Sequence, residues 1–449
     1  MAFTILMIEL KRMINRRFFV LFFILICAGC SFLTKKVESL ATPKVLESKS
    51  DKSTKKNLYC YENNKIQLLL EDDSTLKFYR PLMPNIFETK HFSFIQKAAM
   101  LSLIEMSRRP DEASPSARLQ YFLRFNNKDY YFDFQPKNLD DNSKMSFLKG
   151  LDVLLKTFDK TKSLYKLAET LDQNLPKNIN ISPDLESFLQ TYKNDLIKNE
   201  YLTDTFFKGD EVLTKHESFK RTNYKQLINL YNSDNISNDS AYEFSKNSLV
   251  NIDTGPTGPA LKCNLDINKE YSSKEDVLYK DQKTSHYFAI KEGNNFFIAV
   301  SSSIIQKPFK NYESTYFIKS RPSPVPLPVC QFNTSLQDII LFSSTGRNPA
   351  QHLKHLVSYD IGLVDSFQSL EELLKFSRHL FLSNPDRILY ESKRGRKSQL
   401  DFFLSMNFPI YHVEALGDII GAASFKNGRH EDLSLIADDR SKARLWCSP

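Results

Sequence analysis

Apolar and polar positions alternate differently in different parts of the chain. In "RLQYFLRFNNKDYYFDF" (118–134), Leu119, Tyr121, Leu123 and Phe125 share one face of an extended backbone, and Asn126-Asn127 interrupts the run. Period-two spacing about an Asn-Asn pair predicts a β-hairpin. "HYFAIKEGNNFFIAVSSS" (286–303) predicts a second hairpin, with Gly293-Asn294 in its turn region. Its aromatic residues read as core rather than as a stacking platform. "LYCYENNKIQLLLEDD" (58–73) suggests two strands about Asn63-Asn64. Helical spacing marks 92–109 and much of 144–200, where Phe147, Leu148, Leu151, Leu154 and Leu155 recur at three and four residues. The polar stretch 232–260, ending in "TGPTGPA", reads as loop. Together these pieces predict an α+β body over 58–320.

Beyond the Pro-rich stretch "RPSPVPLPV" (321–329), expected to be a linker, the pattern changes. Six of the twelve glycines fall after it, and short apolar runs are followed by loops and helices. "DIILF" (338–342) leads through "SSTGRNP" to a helix from Pro349, with Asn348 as its cap. A helix is expected over 367–382, with Ser369 and Glu372 as a capping box. "RILYE" (387–391), a basic loop, a helix near 399–406 and "PIYHVEA" (409–415) follow. "DIIGAASF" (418–425) and "LSLIAD" (433–438) complete the strands. Strands alternating with helices predict a smaller α/β domain over 330–449, with a sheet at least partly parallel.

The first thirty residues are different again. Lys11, Arg12, Arg16 and Arg17 precede an uncharged apolar run from Phe18 to Leu33, sixteen residues long. A spanning helix needs about 20. Ala28 and Gly29 stand directly before Cys30. Residues 1–30 thus resemble a bacterial lipoprotein signal peptide. The resemblance implies cleavage before Cys30 and acylation of that cysteine, with Ser31 after it fitting passage to an outer membrane. An uncleaved membrane anchor and simple secretion are the other two readings of the same run. Each of them exports the remaining chain. The Lys- and Ser-rich residues 31–57 then read as a flexible tether, with a reach of about 30 Å.

Charge and cysteines narrow the picture further. The formal charge is +8, but seven of those charges lie within residues 1–57. The body is therefore close to neutral and carries no footprint for nucleic acid. With Cys27 and Cys30 assigned to the signal segment, Cys60, Cys263, Cys330 and Cys447 remain. An even count in an exported chain points to disulfides. Their places on either side of 321–329 suggest Cys60–Cys263 and Cys330–Cys447, each closing one domain.

No phosphate-binding loop, zinc-protease or nucleophile-elbow motif occurs. The best remaining candidates are two loops that leave strands and open helices, where backbone amides favour an anion. Ser344, Thr345 and Arg347 lie in one; Lys393, Arg394, Arg396, Lys397 and Ser398 lie in the other. If the next strand is a parallel neighbour, His412 joins them as an acid–base group, oriented by Glu391 or Glu414. Solvated basic turns are the plainer reading of both loops. His352 and His355 share a helical face, but with no third ligand in sight no metal is expected, and no cofactor. The sequence thus predicts an exported envelope protein held by membrane lipid. It would bind or scaffold an anionic envelope ligand or a protein partner. The alternative is an envelope hydrolase or transferase acting on an anionic substrate in the last domain.

Overall fold

The computed structural model describes residues 59–448 apart from 61–65, 71–76, 138–144, 234–241, 245–248, 253–259, 266, 268–282, 344–348, 360, 383–385, 396, 408, 428–429 and 442. The signal segment, Cys30 and the tether lie outside them, as do Ser344, Thr345, Arg347 and Arg396. Among the described residues no helix is long and apolar enough to cross a membrane.

The first sheet has eight strands. In spatial order they are β21 (Arg444–Cys447), β1 (Gln67–Leu70), β11 (Lys283–Glu292), β12 (Asn295–Ile304), β2 (Arg118–Phe125), β3 (Lys128–Pro136) and β8 (Tyr242–Phe244); β13 (Arg321–Pro322) adds to the end of β12. The second sheet runs β20 (His430–Ala437), β19 (Ile419–Asn427), β15 (Gln337–Ser343), β14 (Val329–Asn333), β10 (Ala260–Cys263) and β9 (Val250–Ile252). A third, small sheet holds β16 (His379–Leu382), β17 (Arg387–Tyr390) and β18 (Ile410–His412). Two ribbons complete the set: β4 (Asn178–Asn180) with β7 (Ser218–Lys220), and β5 (Phe207–Lys208) with β6 (Glu211–Val212). The helices are α1 (Phe94–Arg108), α2 (Ser146–Phe158), α3 (Leu164–Asn174), α4 (Pro183–Thr191), α5 (Lys193–Leu196), α6 (Glu200–Phe206), α7 (Tyr224–Ser233), α8 (Pro349–Ser358), α9 (Phe367–Leu374) and α10 (Lys397–Ser405).

The period-two pattern explains how these elements stack. On β2, Leu119, Tyr121 and Leu123 join the core beneath α1 to α7, while Phe122 on the opposite face joins the core between the sheets. On β15, Ile340 and Phe342 face the first sheet, and Ile339 and Leu341 face α8 and α9. Each large sheet is therefore buried on both sides, giving four layers in the order helix, sheet, sheet, helix. Helix α1 is buried along its whole length, with its charged residues paired inside the fold: Lys97 with Glu292, and Glu105 with Arg108. Ser93 caps it, accepting from the Gln96 amide at 3.2 Å. Both expected hairpins form: Asn126 and Asn127 adopt φ of 53° and 58°, as a tight two-residue turn requires. Gly293 turns the other at φ 58°.

The mixed α+β class is thus observed, but its layout differs from the sequence expectation. Residues 321–329 do not divide two domains: the chain from Lys55 to Pro449 is one unit. Strands from both sides of that stretch share both large sheets, with β21 joining β1 in the first and β10 joining β14 in the second. The cysteine pairing changes for the same reason. All four are bridged, but as Cys60–Cys447 and Cys263–Cys330. Cys263 and Cys330 sit opposite each other on β10 and β14 with Cα atoms 4.2 Å apart. The expected helix over 367–382 stops at Leu374, and His379–Leu382 is strand β16 instead. Its start also shifts, with Ser366 and Ser369 rather than Ser369 and Glu372 forming the capping box. Among the described residues only β17 and β18 pair in parallel; the second large sheet is antiparallel throughout.

Candidate functional site

The loops picked out in the sequence do not assemble into one site. Strands β17 and β18 are parallel neighbours as expected, with Tyr390 opposite His412. Yet Glu391, just past β17, turns inward and is fully buried. It accepts from the backbone amides of Arg378 at 2.8 Å and Leu416 at 2.6 Å, and from Nε of Arg440 at 2.7 Å. His412 is exposed, and Glu414 is exposed in a 2.6 Å pair with Lys393. Arg394 pairs with Asp439 at 2.6 Å. Ser398 is exposed on the first turn of α10. Glu391 therefore cannot orient His412, and the acid–base grouping proposed from spacing is not formed. Glu391 belongs instead to a buried network in which Arg440 also contacts Asp438, and Arg378 pairs with Asp438. Burial pushes the Asp438 carboxyl up, but the two guanidinium groups outweigh it and hold it at about 2.

A second polar cluster lies at the end of the first sheet where β11 begins. Register sets Thr284 opposite Ser303, Ser285 opposite Ser302 and His286 opposite Ser301, and Ser302 lies opposite Arg118 on β2. Unlike the Phe, Ile, Ala and Val residues at 296–300 in the middle of β12, this row is polar. Ser301, Ser302, Ser303 and His286 are all buried. His286 Nε2 lies 2.8 Å from Oε2 of Glu105 on α1. Tyr79 donates to the same carboxylate at 2.6 Å, and Arg108 approaches it at 3.3 Å. Burial raises the Glu105 pKa, yet Arg108 and the bonds from His286 and Tyr79 bring it down to about 2. Ser301 donates to the Glu112 carbonyl at 3.1 Å, and Glu112 also pairs with Arg109 at 2.7 Å.

On the face between the sheets, Arg118 grips Asp133, with Nε 2.6 Å from Oδ1, and donates to the carbonyls of Ser323 and Pro324. The buried Ser302 hydroxyl beside it has no hydrogen-bond partner among the described residues. The histidine–carboxylate pair and Ser301 thus lie on the helix side of this strand end, and Ser302 and Arg118 on the side between the sheets. The sequence reading passed over His286, Glu105, Arg118 and Ser301–Ser303. The signal lay in "AVSSS", where three serines interrupt an apolar run. Among the described residues no group of three or more His, Cys, Asp or Glu side chains could hold a metal ion.

No protein-family model matches the chain, and no curated protein matches it in sequence. Solved structures do share its fold. A cephalosporin acylase from Bacillus halodurans superposes with a TM-score of 0.55 at 9% identity, covering 89% of this chain and 98% of that one. Two structures of LmbA2991 superpose with TM-scores of 0.60 and 0.59 at 7% and 8% identity, each covering 86% of this chain and 98% of the other.

Proposed function

We propose that the protein is a hydrolase that cleaves an amide bond by acyl transfer to a hydroxyl at the start of β11, either Thr284 or Ser285. The observation that supports this most is the four-layer fold shared with a cephalosporin acylase over nearly the full length of both chains. It favours the hydrolase alternative over a binding or scaffolding role; in this proposal the site lies at the end of the first sheet rather than in the last segment. The hydroxyl attacks the amide carbonyl, the amine leaves with a proton, and water hydrolyses the resulting ester. A serine or threonine needs a base for this attack. Its own α-amino group serves when the chain is cut directly before it, and a strand start is a position where such a cut leaves the sheet intact.

The exported, membrane-held location expected from residues 1–57 is part of the same proposal. Two disulfides support an oxidising compartment. Both also join a cysteine before residue 284 to one after it, so a cut chain stays covalently whole. Mass spectrometry of protein from the membrane fraction is the direct test. Without reductant it should give one species lacking residues 1–29 and carrying acyl mass; with reductant it should give two pieces, the second beginning at Thr284 or Ser285. The purified protein should hydrolyse N-acyl p-nitroanilides or an acylated cephalosporin. Thr284→Ala and Ser285→Ala should differ, with one of them losing about a thousandfold or more. An uncut chain that hydrolyses none of these amides would remove the proposal.

A further inference from the structure

We propose that His352, His355 and His379 form an acid-sensitive latch, which holds the small lobe of β16–β18 and α10 against α8 at neutral pH and releases it on acidification. The inference is independent of the hydrolase reading. His352 and His355 lie on α8, and His379 opens β16. The rings of His355 and His379 stack with centroids 4.1 Å apart and planes 27° apart. His352 lies 6.5 Å from His355. His352 is 0% exposed and His355 6%. Both nitrogens of each of these rings, and Nδ1 of His379, have no hydrogen-bond partner among the described residues. His355 and His379 thus pack face to face, and His352 meets His355 edge-on.

The surrounding charges give an added proton no welcome. Arg378, directly before β16, and Arg440 act on the cluster from one side, and Lys354 on α8 adds to them. The carboxylates nearby are already engaged: Asp438 by Arg378 and Arg440, Glu391 by Arg440, and Asp439 by Arg394. From α10 the facing group is the Phe403 ring, 4.7 Å from His379, while Gln399 is bonded to Ser377 and Tyr359. Burial, reinforced for His355 by the two other histidines and Arg378, lowers the imidazole pKa values, to about 2 for His355 and about 4 for His379.

In a released lobe the same rings return to the ordinary range, near 6.5. The closed state is therefore favoured fully above about pH 6.5, and each histidine erodes that preference by up to about tenfold per pH unit below it. For His379 the erosion ends near its closed-state value of about 4.

Hydrogen exchange on the whole chain tests the latch, with rates corrected for the intrinsic effect of pH. Between pH 7.5 and 5, residues 379–412 should lose at least about tenfold in protection, while β11 and β12 keep theirs. Fluorescence of Trp446, on β21 in the first sheet, should stay constant. A His355→Gln, His379→Gln variant should lose much less protection across the same range, keeping only the share that His352 contributes. A flat profile in the wild-type protein, a loss that begins only below pH 4, or an unchanged slope in the double variant would each overturn the proposal. If the double variant does not fold, His379→Gln alone, at the less buried ring, must reduce the slope, and an unaltered slope there is equally decisive.

Discussion

Replacing Arg440 with methionine should cost the folded unit about 3–5 kcal/mol, because it leaves buried carboxylates without their counter-charge. The Arg440 side chain is 0% exposed and reaches four groups at once. It pairs with Glu391 and Asp438 and donates to the carbonyls of Leu374 and Phe376, each at 2.6 Å. These belong to the end of α9, the end of β17 and the segment after β20, so one guanidinium joins three parts of the chain. Lysine in its place keeps the charge but loses the planar fork, and should recover only part of the loss. Arg394→Ala, which breaks a partly exposed pair, should cost no more than about 1 kcal/mol. Urea midpoints at constant m would rank the three. The sign with pH is also fixed. Asp438 titrates at about 2 in the folded state, below the ordinary value near 3.9. Its contribution is complete above the unfolded value and fades as pH falls toward 2, so the gap between wild type and the methionine variant should narrow in acid.

In the uncut chain, removing the Cys60–Cys447 bridge should destabilise the protein more than removing Cys263–Cys330. The first closes a loop with a sequence separation of 387 residues, the second one of 67. Chain entropy in the unfolded state assigns about 6 kcal/mol to the long loop and about 4 kcal/mol to the short one. Paired alanine substitutions avoid leaving a free thiol, and thermal or urea unfolding reads the difference. A larger loss from Cys263→Ala with Cys330→Ala would mean that local contact between β10 and β14, rather than loop closure, sets the effect.

Much of the local structure was legible because short-range spacing carries it. Both hairpins declare themselves by alternation around Asn-Asn and Gly-Asn, and α8 begins at Pro349 where the proline belongs. What the sequence did not carry was which strands lie side by side. Nothing near Cys447 reports that β21 pairs with β1, so a pairing by segment was the natural inference and the wrong one. His379–Leu382 carries enough leucine and phenylalanine to continue a helical stripe; its pairing with β17 makes it a strand. Glu391 illustrates the limit for sites. Its parallel neighbour was anticipated, but its direction depends on Arg440, which lies outside both loops that were compared. The Glu105–His286 pair was invisible for a related reason. Its members belong to a helix and a strand that meet only in the folded molecule.

The place of β1 has a consequence for biosynthesis. It lies in the interior of the first sheet, between β11 and β21, and β21 follows every other strand of that sheet in the chain. A nascent chain that has not reached β21 cannot complete that sheet, so the β1 edge stays open until β21 has emerged. For a protein expected to cross a membrane this is an advantage, since translocation needs an unfolded chain. The same wiring makes any prematurely terminated product incomplete at its core, with β1 presenting an unpaired edge to proteases and to other chains.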